Sequence, residues 1–108
     1  MTTLSPIHPG RILKEEFLDA MQLSQYRLAK EIYEPQTKIG QIVRGLRSIT
    51  PKIGLKLDKF FGFKTEGFFY GLQTDYDMFE AKRELGAELA KIHTFHYDNN
   101  ETNGEAQH

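Results

Sequence analysis

Proline and glycine cut the middle of this chain into helical pieces too short to stand alone. In EPQTKIGQIVRG, Glu34 to Gly45, a proline opens and a glycine closes a segment with only three large apolar residues, Ile39, Ile42 and Val43. Pro35 suits the first turn of a helix, where its missing N–H costs nothing, and Gly45 suits the residue just past the end. Ser24, a natural N-cap, precedes QYRLAKEI, in which Leu28, Ala29 and Ile32 share a face. Thr50-Pro51 repeats the entry signal, and the helix that follows turns Ile53, Leu57, Phe60 and Phe61 inward and stops at Gly62. Isolated helices below about 12–15 residues are marginal in water, so these pieces must pack around a shared core.

The ends of the chain extend the same pattern. Pro9 and Gly10 lead into RILKEEFLDAM, where Ile12, Leu13, Phe17 and Met21 predict a helix from Pro9 to Met21. Thr65-Glu66 opens a longer helical pattern whose stripe is Phe68, Phe69, Leu72, Tyr76 and Phe79. Leu85, Leu89 and Ile92 continue it with a phase slip near Gly86, which allows a bend or break there. Eight Phe and five Tyr in 108 residues suffice to fill one small core. No alternating run is long enough to read as a strand. The expected fold is therefore all-α with five helices: a folded unit over 7–80, a helical extension over 81–97, and a flexible polar tail over 98–108, DNNETNGEAQH.

The net charge of −1 conceals an asymmetry. Residues 24–64 hold nine Lys/Arg against three Asp/Glu, a net +6, whereas residues 65–108 hold three against nine, a net −6. A basic middle suggests a polyanionic partner. The alternative is two solvated faces that offset each other. No run approaches a membrane span, the N-terminus lacks an apolar signal region, and there is no cysteine for disulfides or Cys-ligated metal. A cytoplasmic, membrane-free setting is the expectation. No HExxH, P-loop or nucleophile motif is present, so no catalytic residue and no cofactor are nominated.

Two short helices joined by only a few residues around Tyr33 and Glu34 are expected to cross steeply, as in a helix-turn-helix. In that geometry the second helix enters the DNA major groove. Ile39, Ile42 and Val43 would pin it to the core, leaving Gln36, Thr37, Lys38 and Gln41 to read base edges: Gln suits adenine, Lys suits guanine acceptors, and the Thr methyl suits thymine. Gln25, at the start of the preceding helix, and Arg44, Arg47, Ser48 and Lys52, around the exit, are placed to hold phosphates. Double-stranded DNA is thus the expected partner.

These residues also carry a resemblance. His8-Pro9-Gly10, Ile12-Leu13, Glu15-Glu16-Phe17, Leu23-Ser24-Gln25, Leu28-Ala29, Arg47-Ser48-Ile49-Thr50 and Phe60-Phe61-Gly62 are similar to the run of HigA-type antitoxins, in the Xre (lambda-repressor-like) helix-turn-helix class. FFYGLQTDYD resembles a later family segment, so the likeness spans about residues 7–80. It implies an antitoxin that represses its own operon, binds a palindromic operator as a homodimer, and neutralises a HigB-type toxin, an mRNA nuclease. Two other readings share the fold: a stand-alone regulator without a toxin, and a protein-interaction adaptor that has lost DNA binding. The chain departs from the family pattern at Tyr33, where glycine is usual, at Glu34, and at Gly40, inside the recognition helix. A bulky residue at a left-handed position costs about 1 kcal/mol or more, so a locally rebuilt turn is expected at Tyr33. Part of the stripe Phe69, Leu72, Tyr76 and Phe79 is a candidate dimer seam, the other reading being core. His93-x-x-His96 would place two imidazoles on one helical face but lacks a third ligand, so no metal is nominated.

Overall fold

The computed structural model describes residues 7–97; the predicted tail at 98–108 lies outside them. The described chain is five helices with no strand. α1 starts as one α-helical turn, Pro9–Ile12, and runs directly into a π-helical segment, Leu13–Asp19. α2 spans Gln25–Glu31, α3 Gln36–Val43, α4 Pro51–Phe61 and α5 Phe68–Lys91.

The π segment corrects the sequence expectation for α1. An i→i+5 register stacks residues five apart, and it aligns Leu13 and Leu18, both buried, on the core side. The same spacing joins Lys14 Nζ to Asp19 Oδ2 at 2.8 Å outside. Met21, expected on the buried face, is 55% exposed because the helix ends before it.

Leu13, Leu28, Ile39, Ile42, Ile49, Leu57 and Phe69 are fully buried and form the centre of the core. Each such aliphatic side chain stabilises the fold by about 1.5–3 kcal/mol relative to exposure. Phe17 joins the two ends of the core, its ring 4.9 Å from that of Phe61 and 5.0 Å from that of Phe69. Gly10 is where α1 rests on α3: a Cβ there would lie 1.8 Å from the carbonyl oxygen of Ile42. Only glycine permits that approach.

Helix starts follow the sequence signals. Ser24 Oγ accepts from Arg27 N at 3.0 Å, and Thr50 Oγ1 from Ile53 N at 3.3 Å. Pro35 stands one residue before α3, at its N-cap. The first four helices end in one device, in which two backbone N–H groups fold back onto the last carbonyls. Tyr33 N donates to Lys30 O and Glu34 N to Ala29 O; Gly45 N donates to Ile42 O and Leu46 N to Gln41 O. The residue at the centre of that turn must have positive φ. Gly45 and Gly62 meet the need, but so do Gln22 at 55° and Tyr33 at 60°. The turn at Tyr33 is thus not rebuilt; it accepts the strain.

Two buried polar side chains complete the backbone pairing. Asp58 on α4 accepts from Gly67 N at 2.7 Å and Phe69 N at 3.2 Å, capping α5 from another helix. Gln73 on α5 accepts from the buried Ile49 N at 2.8 Å and donates to Asp77 Oδ1 at 3.0 Å. α5 begins at Phe68, three residues later than the pattern suggested, and passes Gly86 without a break. It stops at Lys91, where Ile92 turns extended, so the extension predicted as helical to 97 is shorter. Every residue from Lys82 to Tyr97 is exposed.

Candidate nucleic-acid interface

α2 and α3 pack against each other across the Tyr33–Glu34 turn, and α3 lies with Ile39 and Ile42 fully buried. The opposite face is polar. Gln25, Gln36, Thr37, Gly40, Gln41 and Arg44 line an open concavity of about 260 Å³ between the start of α2 and the outer face of α3. Gly40 forms its floor: a Cβ there would sit 3.4 Å from both Arg44 Nη1 and Gln25 Oε1. These two side chains, one from each helix, therefore converge over the only residue of α3 that has no side chain to separate them.

The predicted base readers divide. Gln36, Thr37 and Gln41 meet in the concavity. Lys38 does not; its ammonium lies 2.9 Å from Glu34 Oε1. Glu34 also receives Lys56 Nζ at 2.6 Å, and its side chain is only 11% exposed. Hydrogen bonds from Lys56 first and Lys38 second hold the Glu34 carboxyl below the usual carboxylate range. Glu34, an oddity in the turn, is thus an anchor between α3 and α4.

The predicted phosphate holders form a rim in which Gln25 is half-buried and the other four are exposed. Gln25 and Arg44 flank the concavity, Arg47, Ser48 and Lys52 follow along the exit, and Arg47 Nε donates to Gln41 Oε1 at 2.9 Å. The exit loop is held from beneath, because Ile49 is buried and its N–H is taken by Gln73.

His8 supports the same region. Its Nδ1 accepts from Gly10 N at 2.9 Å, capping α1, and its ring stacks edge-on against Tyr76 at 5.0 Å. A Cβ at Gly45 would touch this imidazole at 3.7 Å, so α1, the end of α3 and α5 meet at His8. Burial lowers the His8 pKa, and the Asp77 carboxylate partly opposes that shift.

Sequence reasoning missed Gly10, Asp58 and Gln73. A carboxylate beside Leu57 on the inward face of α4 was the available signal for Asp58. Gln73 and Asp77, four apart, were the signal for the brace under the exit loop. Of the dimer candidates, Phe69 is withdrawn: with no exposed surface it has none to bury against a second chain. Leu72, Tyr76 and Phe79 are half-buried. His93 and His96 fall beyond the end of α5, in exposed non-helical chain, so the shared helical face expected for them is absent. No group of three or more potential metal ligands gathers among the described residues, and none of the described helices is long and apolar enough to cross a membrane.

No protein-family model matches the chain. It is similar to virulence-associated protein I of Dichelobacter nodosus, at 40% identity over 78 residues, covering 72% of this chain and 71% of that one. Among solved structures it is similar to an addiction module antidote protein of a HigA family from Coxiella burnetii. The identity there is 39%, the match covers 86% of this chain and 100% of that chain, and the TM-score is 0.77. The Pseudomonas aeruginosa antitoxin HigA, solved with the higBA promoter, is 30% identical, with 82% of this chain and 96% of that chain covered and a TM-score of 0.76.

Proposed function

The chain belongs to the HigA family of antitoxins, and from that premise we propose that it is a sequence-specific DNA-binding repressor of its own operon. It is also the neutralising partner of a HigB-type mRNA-cleaving toxin, acts as a homodimer, and works in the cytoplasm without catalytic activity of its own. The observation that carries the DNA-binding reading is the polar concavity on the outward face of α3, in a fold shared with a promoter-bound relative.

The geometry supports a division of labour. The apolar side of α3 fixes its height above the core, so its outward side chains reach a major groove at one depth. Gln36, Thr37 and Gln41 meet base edges there. Gln25, Arg44, Arg47, Ser48 and Lys52 meet phosphates on both sides, supplying salt-dependent affinity and register. Lys38 joins the readers only by leaving Glu34, a step that a negatively charged groove favours. Gly40, itself buried, leaves room for Gln25 and Arg44 to converge over α3. Residues 7–80 make up the DNA-binding domain, and the later part of α5 with the chain beyond it serves dimer or toxin contacts.

Gln36→Ala tests the assignment. It should cost about 1–3 kcal/mol on the cognate operator and little on random duplexes. Equal losses on both would remove Gln36 from the readers. The antitoxin role is tested separately, by co-expression with a small toxin-like protein encoded beside the gene. Rescue of growth by the wild type supports it, and persistent arrest with stable antitoxin present contradicts it.

A further inference from the structure

The carbonyl of Gln41 is already engaged. Arg47 Nε donates to Gln41 Oε1 at 2.9 Å, and Arg Nε is only ever a donor, so the amide oxygen must face it. The amide NH₂ is thereby turned away from Arg47. The backbone makes this pairing possible. The Gly45 turn ends α3 and folds the chain back, with Leu46 N bound to Gln41 O at 2.8 Å, so Arg47 returns over a residue six positions earlier. The brace from Gln73 to Ile49 then holds the loop two residues further on.

A free glutamine offers a base one donor and one acceptor, the pattern that pairs with adenine N7 and N6. Arg47 takes one of the two lone pairs on that oxygen and, as a cation, weakens the other, so Gln41 presents its amide donors foremost. The Arg47 guanidinium keeps its two Nη groups, and these are donors as well. A surface dominated by donors matches best an edge made only of acceptors. In the major groove that is guanine, with N7 and O6; thymine has a single acceptor, cytosine presents a donor, and adenine presents a donor beside its acceptor.

We propose that Gln41 and Arg47 form one recognition unit that selects guanine, with Arg47 acting as the positioning residue that suppresses adenine reading by Gln41. This deepens, and rests on, the DNA-binding reading above. Exclusion of water at the DNA surface strengthens the Arg47–Gln41 bond and with it the selection. Both side chains lie outside the buried core, so their replacement leaves the fold intact.

The test is selection of duplexes from a randomised library by the full chain, its Gln41→Ala and Arg47→Ala variants, and the double variant, with affinities measured on the enriched site and its single-base changes. The position whose preference disappears in Gln41→Ala is the one under that side chain. The wild type should prefer guanine there over adenine by about tenfold or more. Arg47→Ala should lose that preference or shift it toward adenine, and the double variant should lose no further discrimination at that base. Adenine preference in the wild type overturns the proposal. So does an Arg47→Ala variant that binds every sequence more weakly with unchanged base choice, since Arg47 would then be a phosphate contact alone. A Gln41→Ala variant with all preferences intact overturns it too. A wild type that enriches no motif overturns the DNA-binding reading itself.

Discussion

Tyr33 holds a left-handed backbone at φ 60° with its side chain in water, in a turn that glycine would close without strain. Tyr33→Gly relieves about 1–2 kcal/mol of crowding and returns about half of that as unfolded-chain entropy. The net expectation is a gain of roughly 0.5–1 kcal/mol, read as a higher denaturation midpoint at unchanged slope; a loss would show that the ring contributes packing. His8 sets a pH dependence at the same scale. Its folded pKa lies below the ordinary 6.5 because burial disfavours the cation, and Nδ1 needs its lone pair for Gly10 N–H. Its contribution is therefore complete above the unfolded value and is lost as pH falls through the folded value. His8→Asn, which retains a capping acceptor, should flatten stability across that range in denaturant titrations; an equally steep variant would remove His8 as the cause. Ser24, Thr50 and Gly45 could be read from their neighbours alone, since capping is local chemistry. Gln22 could not, because nothing in its residue type announces positive φ, and Tyr33 was marked only by the resemblance, which places glycine there.

Among the elements, the decisive joints are polar and long-range. Gln73 reaches from α5 to the buried N–H of Ile49, 24 positions away in sequence. Gln73→Ala strands that N–H and should cost about 1–3 kcal/mol in stability. Because Ile49 follows Arg47, the variant should also lose operator affinity at temperatures where it remains folded. Unchanged affinity in a destabilised but folded variant would mean that the exit loop needs no brace. Apolar periodicity placed α2, α3 and α4 within a residue or two, since each face is set by i, i+3 and i+4 spacing. It misread α1, where Leu13 and Leu18 follow a spacing of five, and it saw a possible break at Gly86 that helical neighbours on both sides override. The concavity was half legible: the polar face of α3 identified Gln36, Thr37 and Gln41. The Glu34 tether on Lys38 and the Arg47 bond to Gln41 depend on how the turns bring distant side chains together.

At the scale of the whole molecule, α5 projects beyond the body with Met78, Leu85 and Leu89 exposed. A homodimer gives this surface a partner. Joint replacement Leu85→Glu and Leu89→Glu should shift the mass in sedimentation from dimer to monomer while the body melts as before. A dimer of undiminished stability would place the seam elsewhere. The charge division has the same scale: the basic middle carries the concavity and its rim, and the acidic residues follow it in sequence. This surface reads sequence and does more than attract phosphate. The most direct test is titration of the purified chain against DNA immediately upstream of its gene and against a shuffled duplex, at two salt concentrations. The expected result is at least about 10³-fold preference for the upstream DNA near physiological salt, retained as both affinities fall with added salt. Equal binding to the two duplexes, vanishing together as salt rises, would contradict it.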